Sequence, residues 1–82
     1  MKKIIIANHK MNLNFLEMKK YIEILNKYKD KFIVCPSNIY IPYFVSENFK
    51  VGIQNIYKGN YGPYTGEVSA CQAKSIGVNY VI

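Results

Sequence analysis

The chain has 82 residues, of which 50% are hydrophobic, 15% aromatic and 20% charged, a composition typical of one folded domain at most. Its longest apolar runs, such as residues 4–7, are far shorter than the roughly 20 residues of a membrane-spanning helix. No secretory hydrophobic block follows the N-terminal lysines. We therefore expect a cytoplasmic protein without a membrane partner.

The net charge is +6, from eleven lysines against five acidic residues and with no arginine. A basic balance of this size fits either a nucleic acid or an anionic substrate. Arginine is the preferred group for bidentate recognition of bases, and these lysines are scattered along the whole chain. The pattern therefore argues against a nucleic-acid partner.

The two cysteines, Cys35 and Cys71, fit no spacing for zinc or for a disulfide framework. Free cysteine is commonly a small buried hydrophobic residue. We therefore expect two buried thiols and no metal site.

Short, continuous apolar runs alternate with longer and more polar stretches. Continuous hydrophobicity is typical of strands that are buried on both faces of a parallel sheet. The runs cover residues 4–7, 32–35, 51–53 and 80–82. The order of strands and polar stretches predicts a parallel α/β sheet with right-handed crossovers.

The stretch after the first strand predicts a helix that begins after Asn14. Asn14 can cap the helix, and Glu17 can reach back to the cap backbone. Apolar residues then recur at steps of three and four, with two tyrosines widening the stripe. These residues are Phe15, Met18, Tyr21, Ile22, Leu25 and Tyr28.

Two further helices are predicted. A weaker one spans residues 38–48, where Pro42 is tolerated only within the first turn. The other begins at Ser69, which forms a capping box with Gln72, and ends at Gly77 after about two turns. Residues 58–67 make an unusually long connection before it, which suggests a functional loop.

Ligands of parallel α/β sheets bind at the carboxyl ends of the strands. Asn8 and Lys10 follow the first strand and share one face by alternation, whereas His9 points to the other face. An amide and an ammonium group at a strand end suit an anionic substrate with a polarised oxygen. A capping asparagine and a surface lysine would give the same local pattern.

Residues 8–12, with the sequence NHKMN, resemble the N-x-K-M-N signature that opens triosephosphate isomerases. The likeness continues through CPSNIY at 35–40 and VGIQNIYK at 51–58. The sequence GPYTGEVS at 62–69 is similar to the family's G-A-F-T-G-E-I-S loop, and GVNYVI at 77–82 to its fourth strand. The resemblance covers the whole chain in register, and the chain is identified as a member of this family.

The resemblance implies an α/β fold of parallel strand–helix repeats, the first part of a (β/α)8 barrel of about 250 residues, incomplete in this chain. Residues 1–82 would be the N-terminal part of a single barrel domain. Strands near residues 4–8, 32–35, 51–54 and 80–82 should then lie parallel in the order 1-2-3-4. In the family, four parts of the active site follow the fourth strand: the catalytic histidine, the glutamate base, the lid and the glycines that bind phosphate. We therefore expect this chain to be inactive alone.

The family interconverts dihydroxyacetone phosphate and D-glyceraldehyde 3-phosphate, in glycolysis and gluconeogenesis, and needs no cofactor or metal. The resemblance gives Lys10 an electrostatic role beside the substrate phosphate and the developing enediolate. It gives Asn8 a hydrogen bond to a substrate oxygen. The implied small-molecule partner is therefore a phosphorylated triose.

In the family, the long third loop reaches across a twofold interface, where its threonine lies near the partner's asparagine and lysine. The resemblance thus implies a homodimer of the complete enzyme, with Thr65, Gly66 and Glu67 at the interface. A threonine followed by a glycine also fits an ordinary turn. Gln54 and Asn55, at the third strand's exit, are expected to hydrogen-bond neighbouring loops rather than substrate.

His9 departs from the family, which has tryptophan or phenylalanine between the asparagine and the lysine. Because it faces the helices by alternation, we expect a packing or surface role and not that of the catalytic histidine. Pro63 and Tyr64 also replace the more usual alanine and phenylalanine, and leave residues 65–67 intact.

Two interpretations remain open at this point. The chain is either the N-terminal part of an isomerase that is active when complete, or a non-catalytic fragment that serves as a binding or complementation half of the barrel. A third interpretation, a basic nucleic-acid module, lacks arginine clusters and any recognised motif.

Overall fold

A computed structural model describes residues 3–82. Within that range it contains one parallel sheet, in which the strand order is β1-β2-β3-β4. The strands are β1 (Ile6–Asn8), β2 (Ile33–Cys35), β3 (Lys50–Ile53) and β4 (Tyr80–Val81). The predicted parallel sheet and its order are confirmed, and the sheet is open rather than closed into a barrel.

Helices alternate with these strands. They are α1 (Phe15–Leu25), α2 (Ile41–Ser46) and α3 (Ala70–Ser75), with 3₁₀ turns at Asn26–Lys31 and Asn38–Tyr40. Within residues 3–82, every helix is too short or too polar to span a bilayer.

The predicted capping boxes are confirmed at the start of α1 and of α3. Asn14 Oδ1 accepts the Glu17 N–H at 2.9 Å, and Glu17 Oε1 accepts the Asn14 N–H at 2.9 Å. The reciprocal distances between Ser69 and Gln72 are 3.1 and 3.0 Å. Each box satisfies two backbone donors that a helix start would otherwise leave unpaired, which fixes where each helix begins.

The ends of the shorter helices also follow the sequence. Pro42 lies in the first turn of α2, where its missing N–H removes no helical bond. After α3 the chain turns at Gly77, whose φ of 101° is in the left-handed region that favours glycine.

The helices cover one face of the sheet and form the core with it. Paired residues of parallel strands share a face, so Val34 and its partner Val51 both point toward the helices. On the other face the outer strands are uncovered, with Ile6 51% exposed and Tyr80 45% exposed, whereas Ile33 and Cys35 of the central strand β2 are buried. The core consists of Met18, Ile22, Val34, Ile41, Phe44, Phe49, Val51, Ile53, Ala73 and Val78.

The helix predicted over residues 38–48 is shorter than expected, since α2 covers Ile41–Ser46 after a 3₁₀ turn. Two further details of the predicted elements differ. Tyr28 is exposed and does not widen the apolar stripe, because α1 ends at Leu25 and the chain continues as a 3₁₀ helix. Three residues per turn, rather than 3.6, rotate Tyr28 off the stripe. The first strand begins at Ile6 and not at residue 4, since Ile6 pairs with Ile33, the first residue of β2.

The expectation of two buried thiols is correct for Cys35 and wrong for Cys71, which is exposed. The six-residue helix α3 has one buried residue, Ala73. Cys71 therefore lies on the outer side of a helix that is too short to bury more than one narrow face. Its Sγ lies 3.4 Å from the hydroxyl of Tyr61.

We expect Gly52→Ala to destabilise the fold by about 1–3 kcal/mol, the usual cost of overpacking. A Cβ at this position would lie 2.7 Å from Cys35 Sγ, whereas one at Gly59 would meet nothing closer than 3.8 Å. Urea unfolding followed by circular dichroism measures the loss, with Gly59→Ala as control. The Gly52→Ala loss should shrink when Cys35→Ala is also present, and an equal loss in both backgrounds would contradict this explanation.

Candidate functional site

The carboxyl ends of the parallel strands meet at one edge of the sheet. Asn8 is the last residue of β1 and pairs with Cys35, the last residue of β2. Lys10 follows in the loop, and both Asn8 and Lys10 are exposed. The Lys10 N–H donates to Asn8 Oδ1 at 3.1 Å, so the asparagine side chain shapes the turn that carries the lysine.

The backbone of Lys10 is held in an uncommon conformation. Its φ of 53° is in the left-handed region, which is costly for a residue with a Cβ and persists only when the surroundings hold it. The Lys10 carbonyl accepts hydrogen bonds from Ser37 Oγ at 3.0 Å and from Gln54 Nε2 at 2.9 Å. Together with the bond to Asn8, these contacts fix both polar groups of the Lys10 backbone.

Gln54 connects the exits of three strands. Its Nε2 donates to the carbonyl of Cys35 at 2.9 Å as well as to that of Lys10. This confirms the prediction that Gln54 bonds neighbouring loops. Asn55 is exposed, and its predicted hydrogen bonding stays a prediction.

Sequence reasoning did not single out Ser37. Its hydroxyl bonds the Lys10 carbonyl across 27 positions of sequence. The available signal was its place two residues after β2, at the same edge of the sheet as Asn8.

His9 turns away from this edge toward the helices. Its ring packs against Tyr21 of α1 and Phe44 of α2. The expected packing role of His9 is therefore confirmed.

The long loop over residues 58–67 is closed at its base. Tyr57 forms a parallel bridge with Ser69, and its N–H donates to the Val68 carbonyl at 2.8 Å. Near its C-terminal end, the Glu67 N–H donates to the Tyr64 carbonyl at 3.1 Å. Gly66 has φ of 82°, as a type II turn requires at its third position.

This turn exposes Thr65, Gly66 and Glu67. In the described part of the chain, no hydrogen bond joins the loop to Asn8 or Lys10. The turn chemistry is thus observed, and within one chain the loop does not take part in the hydrogen bonds around Lys10.

The side chains at the strand exits suit an anion. Asn8 can donate a hydrogen bond through Nδ2 and Lys10 supplies a positive charge, whereas the donors of Ser37 and Gln54 are used on backbone carbonyls. Burial raises the pKa of Cys35 above its ordinary value, and a backbone hydrogen bond from Gly52 acts in the opposite direction. The described residues contain no group of three or more histidine, cysteine or acidic side chains that could hold a metal ion.

A sequence profile described as triosephosphate isomerase matches residues 3–82. The chain belongs to the triosephosphate isomerase family. Similar curated relatives, each named triosephosphate isomerase, come from Flavobacterium psychrophilum, Clostridium botulinum (strain Loch Maree) and Alkaliphilus oremlandii. Their identities are 39%, 36% and 36%, over 98%, 96% and 99% of this chain.

The chain spans 35–36% of the length of these triosephosphate isomerases. The four parallel strands alternating with helices are consistent with part of the family's barrel.

We expect Gln54→Glu to loosen the Lys10 segment, because a carboxylate cannot donate to the carbonyls of Lys10 and Cys35. Loss of two hydrogen bonds at about 0.5–1.5 kcal/mol each should lower the free energy of unfolding. Urea unfolding measures the loss. Asn55→Asp, on the exposed neighbouring residue, makes the same charge change as a control; equal effects of the two variants would contradict the assignment.

Proposed function

We propose that this chain supplies Asn8 and Lys10 to the active site of a triosephosphate isomerase, which interconverts dihydroxyacetone phosphate and D-glyceraldehyde 3-phosphate. The observation that carries the proposal is the strained backbone of Lys10, held by Asn8, Ser37 and Gln54 at the exit of β1. Strain of this kind is concentrated at functional sites. It supports a role for Lys10 beyond that of a solvated surface charge.

The chemistry explains why a fixed lysine is useful. Moving a proton between adjacent carbons of a triose phosphate builds negative charge on oxygen, in an enediolate. A preorganised ammonium group stabilises that charge more in the transition state than in the ground state. We assign this role, and attraction of the phosphate, to Lys10.

We assign to Asn8 a hydrogen bond from its Nδ2 to a substrate oxygen. Asn8 Oδ1 accepts the Lys10 N–H, and this contact orients the amide so that Nδ2 is the group left to donate. The two residues would therefore act as one unit.

We further propose that residues 1–82 are the N-terminal part of one barrel domain and are inactive alone. Electrostatic groups stabilise an enediolate, but a general base must first remove the carbon-bound proton. The family's base and its electrophilic histidine belong to segments that follow the fourth strand. We also propose that the complete enzyme acts in glycolysis and gluconeogenesis and is located in the cytoplasm.

The test compares the 82-residue chain with a fusion. In the fusion, the chain is joined to the strand–helix units that follow the matched region in the Flavobacterium psychrophilum relative. We expect turnover in a coupled isomerase assay from the fusion and none above buffer from the chain alone. Turnover from the chain alone, or a folded but inactive fusion, would contradict the proposal.

Lys10→Ala in the fusion should lower kcat/KM by on the order of 10²–10³-fold, as loss of one preorganised electrostatic group does. Lys74→Ala removes an exposed lysine of α3 and should leave kcat/KM unchanged. Thermal melting of both variants separates catalysis from folding. Unchanged kcat/KM for Lys10→Ala would refute the role of Lys10.

We also propose that the complete enzyme is a homodimer, with Thr65, Gly66 and Glu67 at its interface. The exposed turn, carried by a loop that is closed at its base, supports this. Such a turn can enter a partner without unfolding.

Thr65→Arg in the fusion should shift its mass toward the monomer in light scattering, because a bulky charge would have to be buried at the interface. Ile24→Arg, at a position of α1 that is 56% exposed, is the control and should keep the dimer. A dimer that persists in Thr65→Arg would place the interface elsewhere.

A further inference from the structure

His9 lies between the two residues proposed to contact substrate. It is the one histidine among the 82 residues. Its ring centroid is 4.5 Å from that of Tyr21, at an interplanar angle of 77°, and 5.9 Å from that of Phe44, at 73°. Edge-to-face contacts of this kind are favourable for aromatic rings. Two helices, α1 and α2, therefore hold this side chain from the helix side of the sheet.

The Nε2 atom of His9 is buried and has no hydrogen-bond partner within residues 3–82. A neutral imidazole can leave one nitrogen as a bare acceptor. An imidazolium carries an N–H on both nitrogens, and a buried N–H of a cation without an acceptor is strongly unfavourable. The pocket therefore fits the neutral ring and opposes the charged one.

The backbone of His9 is fixed as firmly as its ring. Its N–H donates to the Cys35 carbonyl at 3.0 Å, and its carbonyl accepts from Asn12 Nδ2 at 2.9 Å. Because the ring packs against the helices and the backbone of His9 is hydrogen-bonded, the direction of the chain before and after His9 is fixed. Asn8, the last residue of β1, is then presented at the opposite face by alternation, and Lys10 follows in the turn whose N–H bonds Asn8 Oδ1.

We infer that His9 is a positioning residue for this site: its neutral ring, anchored between α1 and α2, fixes Asn8 and Lys10, and protonation of the ring releases them. The inference rests on the proposed function only in treating Asn8 and Lys10 as substrate-binding residues. The movement of the Asn8–Lys10 segment on protonation of His9 does not depend on the proposed function. A charged ring would have to leave the aromatic pocket for water, and the flanking backbone would have to follow.

Tyr21, which packs against the ring, does not change charge in the same pH range. Burial raises the pKa of Tyr21 on α1, so its hydroxyl stays neutral in acid. The side chain of Cys35 on β2 shares the face of its partner Asn8, away from the ring, and burial raises its pKa despite an opposing backbone hydrogen bond from Gly52. Phe44 on α2 has no titratable group. Glu17, one turn before Tyr21, is exposed and bonds the start of α1.

Burial lowers the pKa of His9 below its ordinary value of 6.5. In the unfolded chain His9 keeps the ordinary value, so the unfolded state binds more protons at pH below 6.5. The stabilisation from the neutral ring is therefore complete above pH 6.5. It is lost as the pH falls through the lower, folded value.

The test is an NMR titration of the 82-residue chain from pH 7.5 to 5. A single histidine gives a single imidazole curve. The side-chain amide of Gln54 reports on the Lys10 carbonyl, to which it donates from the third strand. We expect the imidazole midpoint to fall below 6.5 and the Gln54 amide resonances to shift with the same midpoint.

An imidazole midpoint at 6.5 or above, as in an unfolded chain, overturns the inference. Gln54 resonances that do not follow the imidazole titration also overturn the inference, because His9 would then have a packing role without an effect on the Lys10 segment. His9→Phe keeps an aromatic ring that takes no proton, so its Gln54 resonances should stay constant over the same pH range. Tyr21→Phe should keep the imidazole midpoint below 6.5, which shows that the tyrosine hydroxyl is not the titrating group.

The fusion provides a second readout that separates the two proposals. Its kcat/KM should fall in acid with the His9 midpoint, and His9→Phe should lack that fall. The same acid fall in both proteins would overturn the inference even with the isomerase function intact. An inactive fusion would instead refute the proposed function, while the NMR titration still decides the role of His9.

Discussion

The side-chain amide of Gln54 ties together the exits of three strands. From β3 it donates to the carbonyl of Cys35 at the end of β2 and to that of Lys10 beyond β1. It can do so only because the strands are parallel and in register, so that their carboxyl ends share one edge. The left-handed backbone of Lys10, and with it the geometry of the candidate site, depends on this contact.

The two faces of the sheet are coupled at residue 9. Alternation places neighbouring side chains of a strand end on opposite faces, so a residue that packs on the helix face also sets the side chain of Asn8 on the other face. His9 meets the packing requirement with a ring that has two protonation states. By the inference above, the packing beneath the site therefore depends on pH.

Local signals predicted much of the fold. The capping boxes at Asn14 and Ser69 and the left-handed turn at Gly77 depend on residues only a few positions apart. Continuous apolar runs predicted the parallel strands, since both faces of a central strand are covered. Tyr28 was predicted wrongly because a change from α to 3₁₀ helix alters the phase of the side chains, and no nearby residue signals that change.

The site was predictable in its location but not in its geometry. A strand exit with Asn8 and Lys10 was visible from the residue order. The φ of Lys10 was not, because lysine has no preference for the left-handed region and the contacts that hold it come from 27 and 44 positions away. The exposure of Cys71 likewise depends on how few residues of α3 reach the core.

The loop closed by the bridge between Tyr57 and Ser69 is ordered within the single chain, without a binding partner. The rings of Tyr57 and Tyr64 lie 4.5 Å apart inside it, so the loop has its own packing as well as its own hydrogen bonds. Ordering a flexible loop on association costs about 0.5–1.5 kcal/mol for each side chain immobilised. A loop of this kind has little conformational entropy left to lose, and its binding would be governed by shape and not by folding.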